Sequence, residues 1–391
     1  MNTQNKLENI NMDKRISIAI SSIFITLMGQ YFVLIVFNLL DSSKGSIVQL
    51  TSKMLVALAF CYALPSVLKK SKLKFIILYF ISIFIILVNM LLFSENIEYI
   101  KEILFPMFFM CIPSYIYISS IKDIKIFERY IRISSNIICI MGTIISIMVF
   151  TGNVFIGPYS MSLSYYMLFP AIIYISNTIE NRKFSDFICF IISLVSIISL
   201  GSRGALMCII SFIVLKLIKI RKKYTFKEIT FVTIVILSII PCIISYKNII
   251  IFIRDAFYKL GIQSRTIELI LREDIYLSGR DSIYNELLRE LYEKPILGLG
   301  IGADRKIESG YAHNIFIEIL CNYGSIIGLI IIISLIIIII RSLIVSNGND
   351  YNVVIFWISV GFIHLLVSGS YLIEIKFWIM LGIITRKFKK I

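Results

Sequence analysis

The sequence predicts an all-α, polytopic integral membrane protein of about twelve transmembrane helices with one large extracytoplasmic loop. Three observations predict it. Hydrophobic residues make up 58% of the 391 residues and the mean hydropathy is +0.89, beyond the apolar half typical of a soluble domain. Runs such as Leu329 to Ile340 have no place on a water-facing fold, whereas about 20 such residues cross the hydrocarbon core of a bilayer. One interval, Tyr246 to Ala312, breaks the pattern, being hydrophilic with ten Lys/Arg against ten Asp/Glu.

Measured against the length of a span, the apolar segments fall at 16–40, 47–68, 73–93, 103–120, 133–151, 160–179, 185–201, 203–220, 229–245, 322–345, 353–369 and 371–385. The first follows Asp13-Lys14-Arg15. It is too long for a signal-peptide core and lacks a small-residue cleavage site. The expected organisation is an N-terminal bundle of nine spans (1–245), the large loop (246–312) and three C-terminal spans (313–391).

Lys and Arg then test the count, because cytoplasmic loops carry the positive excess. Lys69 to Lys74, Lys122 to Arg132, Arg182-Lys183, Lys216 to Lys227, Arg341 and Arg386 to Lys390 read as inside. Asp41 to Lys44, the acidic Ser94 to Glu102, the uncharged Thr151 to Tyr159, Gly201 to Arg203 and the long loop read as outside. Both termini are therefore expected in the cytoplasm and the large loop outside. On this reading the formal charge of +15 reflects orientation in the cytoplasmic membrane, and nucleic acid is not an expected partner.

Smaller elements follow from local pattern. Asp281 to Glu293 sets Ile283, Leu287, Leu288 and Leu291 at helical spacing, an amphipathic helix. Lys294-Pro295 ends it, and Gly298, Gly300 and Gly302 predict a flexible turn. Tyr311 to Tyr323 starts as an interfacial helix leading into the tenth span, and Gly324 and Gly328 have helix-packing spacing. No Lys-Ser/Thr follows the glycine run, so it is not a nucleotide loop. The seven cysteines form no CxxC and no cluster with the two histidines. They read as small hydrophobes, with no disulfide, metal site or cofactor expected.

Three residues carry candidate chemistry. Arg203 stands in Leu200-Gly201-Ser202-Arg203-Gly204-Ala205, where it either snorkels to the interface or pairs with an anion that the glycines let approach. Its planar fork suits phosphate oxygens. Arg280, in Ser278-Gly279-Arg280-Asp281, opens the amphipathic helix. It is either solvated beside a capping Asp281 or joins the helix amides around a phosphate. His313, at the junction of loop and membrane, either holds a backbone carbonyl or takes a proton from a hydroxyl, its ordinary pKa being about 6.5. His364 is the alternative base and reads as structural.

The order of Ser202-Arg203-Gly204-Ala205, Ser278-Gly279-Arg280, Lys294-Pro295-Ile296-Leu297-Gly298-Leu299-Gly300, Ala312-His313-Asn314-Ile315-Phe316-Ile317-Glu318 and Asn322-Tyr323-Gly324 resembles the O-antigen polymerase and O-antigen ligase family of bacterial inner-membrane glycosyltransferases. The resemblance implies a metal-independent, GT-C-like transferase whose donor is a glycan on undecaprenyl pyrophosphate. It implies that Arg203 and Arg280 contact the diphosphate and that His313 activates the acceptor hydroxyl, with Tyr311, Asn314 and Glu318 beside the substrate. The partners implied are lipid-linked donor and acceptor glycans, membrane lipid, a chain-length regulator and a flippase. An Ile/Lys/Asn-biased composition leans to a polymerase of O-antigen or capsular polysaccharide over a ligase onto lipid A-core. A lipid-linked oligosaccharide flippase is disfavoured, because no internal repeat is visible and charges within the spans are almost absent.

Overall fold

The computed structural model describes residues 3–40, 42–150, 159–200, 202–219, 246–259, 261, 271, 280–306 and 311–387, and all regular structure among them is helical. The expected span at 229–245 lies outside the described residues, as do Gly201, Ser278, Gly279 and the segments 151–158 and 220–227. In chain order the helices are α1 (Thr3–Val36), α2 (Ser43–Leu92), α3 (Ile97–Pro106), α4 (Ile112–Ser120), α5 (Ile124–Phe150), α6 (Tyr159–Tyr166), α7 (Leu168–Asn181), α8 (Phe184–Leu200), α9 (Arg203–Lys219), α10 (Tyr246–Lys259), α11 (Arg280–Glu293), α12 (Ile315–Val345), α13 (Gly348–Trp357) and α14 (Ile375–Lys387). A π-turn at Met107–Cys111 joins α3 to α4, between Pro106 and Pro113, and a second at Ile358–Ile363 extends α13.

Five described helical stretches are long and apolar enough to cross a membrane: α1, α2, the continuous segment Ser94–Ser120, α5 and α12, with α8 apolar but shorter. The spans expected at 47–68 and 73–93 form one 50-residue helix interrupted at Ser71 (φ −150°, ψ 37°), inside the lysine run. Both arms lie on the α3–α4 segment. Tyr117 donates its hydroxyl to the Phe60 carbonyl, Ser120 to the Ser71 hydroxyl and Tyr79 to the Phe108 carbonyl. Leu58, Phe80 and Leu91 on α2, and Ile330, Ile337 and Ile344 on α12, stay exposed. Apolar faces of this extent are suited to lipid and would aggregate in water.

The chain divides into two compact units, one of Met1–Leu27, Gln49–Ser134 and Leu277–Ile391, the other of Met28–Val48 and Ser135–Tyr276. In the first, Trp357 is almost fully buried, with the ring of Phe127 stacked at 5.8 Å and that of Phe24 tilted at 6.2 Å. A buried carboxylate pins the same unit. Asp13 pairs with Lys70 and accepts the backbone amides of Lys122 and Asp123 at 3.1 and 3.0 Å, joining α1, the bend of α2 and the start of α5. Both charges lie outside the expected spans, and their burial is offset by pairing and hydrogen bonds.

In the second unit α8 buries Phe190, Ser193, Ile197 and Leu200 and leaves Phe184, Phe187, Ile188 and Ile191 outward. Small serines let helices approach. The Ser193 hydroxyl is satisfied by the Cys189 carbonyl one turn back, at 2.8 Å. The six described cysteines are free, Cys61 exposed and the others wholly or partly buried, as small hydrophobes should be.

Candidate active site

The residues around His313 all belong to the first unit, and their frame begins with α11. Its buried face is Ile283, Leu287 and Leu291, while Leu288, expected on that face, is 45% exposed. Ile283 and Leu287 form one core with Leu299, Ala303, Ala312 and Cys321, with Tyr284 and Ile317 packed against it. This core sets α11 beside the N-terminal turns of α12.

The glycine run that follows is no flexible turn. Gly298, Gly300 and Gly302 all have positive φ, and the segment is docked on both sides. Asn96 donates to the Leu299 carbonyl at 2.8 Å, and the Ile301 amide donates to the Asn89 side chain at 3.0 Å. On the other side it meets a break in α12 at Gly324 (φ 76°, ψ 174°). There the Leu299 amide donates to the Cys321 carbonyl and the Ser325 amide to the Pro295 carbonyl, each at 2.7 Å. The helical bond from residue 325 back to residue 321 is thereby replaced by two bonds to the loop. A Cβ on Gly298 would stand 2.4 Å from the Gly324 nitrogen, so the close approach requires glycine. Gly324 therefore serves a break in the helix. Gly328 would bring a Cβ to 3.1 Å from Leu320 across that break, a close approach of the two helical arms that keeps the expected packing role for Gly328 and not for Gly324.

The docked segment ends in the 3-10 turn Ala303–Lys306. Asp304, which the sequence reading passed over, is fully buried and accepts the Ala312 amide at 3.0 Å. Burial raises its pKa, opposed by that amide and by the Arg305 charge. Asp304 thus fixes the approach to His313. His313 itself has φ 53°, a left-handed conformation uncommon outside glycine and worth about 1–3 kcal/mol of strain, of the kind that gathers at functional sites. Its ring meets that of Tyr311 at a centroid distance of 4.1 Å, and its Nδ1 is enclosed with no hydrogen-bond partner. The pKa is lowered to about 4, by burial first and by the Arg280 charge second. The imidazole is therefore neutral at physiological pH and close to an arginine.

Two residues expected beside the substrate have structural work here. Asn314 is the N-cap of α12, its side-chain oxygen accepting the Phe316 amide at 2.9 Å. Glu318 is buried, accepting the Ser370 hydroxyl and, at 3.1 Å, the Tyr371 amide. Asn322 continues the series, donating to the Tyr371 hydroxyl at 2.9 Å. Asn314, Glu318 and Asn322 recur every four residues and so share one face of the helix. That face carries the irregular segment 366–374. A polar stripe at helical spacing in an apolar run was the available signal, and Asn322 was read only as part of a motif.

The structure thus brings Arg280, Tyr311, His313 and Asn314 together, the Arg280 charge acting on both His313 and Tyr311. Arg203 belongs to the other unit, as the first residue of α9, whose Ala205 amide reaches the Ser202 hydroxyl at 3.4 Å. His364 is buried in an ionic cluster, 3.5 Å from Lys376 Nζ and 3.6 Å from Glu374, and the Glu374 charge also acts on Tyr311.

Apolar helices of membrane-crossing length, with a histidine and an arginine drawn together where α12 begins, define a multi-pass membrane protein with a polar site at a helix entrance. Residues 188–333 match the model of the family described as Wzy_C, O-antigen ligase. That stretch contains Arg203, Arg280 and His313 and is consistent with the O-antigen polymerase and ligase family. No curated protein and no solved structure matches the chain.

Proposed function

We propose that the chain is a metal-independent polysaccharide polymerase. It joins undecaprenyl-pyrophosphate-linked repeat units into O-antigen or capsular polysaccharide at the outer face of the cytoplasmic membrane. The reaction is a single displacement at the anomeric carbon. The acceptor hydroxyl oxygen forms the new bond to that carbon while its proton passes to His313. The bond from the carbon to the diphosphate breaks, and undecaprenyl diphosphate leaves with the electron pair. Arg280 balances the charge that develops on the leaving group. Arg203 is assigned a second diphosphate contact on its motif alone. Tyr311 lines the acceptor side, whereas Asn314 and Glu318 act as positioning residues through the bonds described.

The observation that carries this reading is the neutral imidazole of His313, with an unpartnered ring nitrogen, under the influence of Arg280. A neutral imidazole has a lone pair with which to take the hydroxyl proton, and the negative charge of a bound diphosphate would offset the burial and the Arg280 charge that weaken it as a base; an arginine suits a leaving diphosphate. His313→Ala and Arg280→Ala should each lower polymer formation about 10²–10³-fold, by analogy with loss of a charge-stabilising donor. Long-chain polymer undiminished on a gel ladder in either variant would sink the assignment. The matched family, described as O-antigen ligase, favours a second reading, transfer of finished glycan onto lipid A-core by a ligase. A deletion strain separates the two: loss of a polymerase leaves single repeats attached to core, and loss of a ligase leaves none.

A further inference from the structure

Arg305 is a partly buried cation that the proposed reaction does not yet use. It lies in the 3-10 turn Ala303–Lys306, held in place by the glycine-rich segment docked on Asn89 and Asn96. Its Nε and Nη2 are both enclosed and without a hydrogen-bond partner, as is His313 Nδ1. The charges of Glu374, Arg280 and Arg305 all act on Tyr311, whose ring lies against that of His313, so the Arg305 edge and the His313 ring share one neighbourhood. Asp304 and Glu318 also feel that charge. Yet their bonded oxygens take the Ala312 and Tyr371 amides and the Ser370 hydroxyl, and Asp304 Oδ1 is enclosed and unpartnered too.

Burying a donor with no acceptor costs more than an ordinary hydrogen bond returns, so native structures rarely leave two on one group. Nε and Nη2 form the edge of the guanidinium that offers two parallel N–H bonds. That edge matches two oxygens of a phosphate. We propose that Arg305 is a further anion-binding residue of the site, its Nε/Nη2 edge taking a phosphate of the lipid-diphosphate donor alongside Arg280 and His313. The inference rests on the donor class assigned above.

The test is pyrophosphate binding by the full chain in phosphatidylcholine nanodiscs, followed as a shift in melting temperature, with orthophosphate at equal ionic strength as a comparison. Inorganic pyrophosphate should stabilise the wild type, and Arg305→Gln should need at least about tenfold more of it for the same shift. Arg305→Lys should lie between, since lysine keeps the charge and loses the fork. It also carries the measurement if the glutamine variant is too unstable to titrate. Equal pyrophosphate response in wild type and both variants would overturn the proposal and leave Arg305 as the countercharge of Asp304 and Glu318. No response in the wild type would overturn it as well. So would a shift that appears on exchanging phosphatidylcholine for phosphatidylglycerol and is not increased by pyrophosphate, because the occupant is then a lipid headgroup. Polymer made normally by His313→Ala, together with weakened pyrophosphate binding by Arg305→Gln, would discard the reaction and keep the anion site.

Discussion

His313 combines three unusual features: a left-handed backbone, an aromatic neighbour and a ring nitrogen with no partner. Its sequence context marked it as a candidate base, yet a histidine at a membrane junction is equally suited to holding a carbonyl. The enclosed, unpartnered Nδ1 favours the base. Its lowered pKa has a direct chemical consequence, because diethyl pyrocarbonate reacts with imidazole only in its neutral form. Carbethoxylation of the His313 peptide, followed by mass spectrometry, should persist well below pH 6.5 and halve near pH 4, where the pKa lies. Arg280 disfavours the imidazolium, so Arg280→Gln should move that midpoint upward. A midpoint at the ordinary value near 6.5 in the wild type would refute this account of the site. Asn314 and Glu318 show the limit of reading single residues. Both were expected beside the substrate, and their side chains make bonds that cap α12 and hold the turn at 370–371.

Among the elements, those governed by local pattern were legible. The apolar spacing of 283, 287 and 291 marks the buried face of α11, and the lysine run 69–74 contains the bend of α2. The segment 295–302 was misjudged because glycine permits both a loose turn and a tight dock, and only its neighbours decide between them. Gly298→Ala tests the dock. The new Cβ would meet backbone of α12 at 2.4 and 2.5 Å, at a φ of +72°. Left-handed strain and overpacking together predict a loss of about 2–5 kcal/mol. Gly348→Ala is the control, with φ +55° and nothing within 4 Å, and should lose only the strain, about 1–2 kcal/mol. Thermal unfolding of the purified variants compares them. Similar losses in both would mean that the contact between loop and broken helix does not support the fold.

At the scale of the molecule, the buried Asp13–Lys70 pair gathers three distant parts of the chain, with Asp13 also accepting the amides of Lys122 and Asp123. Asp13→Ala strands a buried lysine and should cost about 3–5 kcal/mol, whereas Asp13→Ala with Lys70→Met should recover much of that loss. Chemical denaturation in detergent would show it, and a double variant no better than the single one would contradict the pairing. Residue types alone decided that this chain has several helices able to cross a membrane and carries the motif order of the O-antigen polymerase and ligase family. Hydropathy and helical period are sums over near neighbours, and so they are complete in the sequence. Which polar groups meet was decided only by the tertiary structure. Glu318 finds Ser370 across 52 residues, and Asn96 finds Leu299 across 203. In an apolar chain most polar side chains must find partners, and folding selects among many chemically equivalent ones by bringing particular helices together. The same selection leaves Nε and Nη2 of Arg305 and Nδ1 of His313 enclosed without partners, an outcome that no local pattern could reveal.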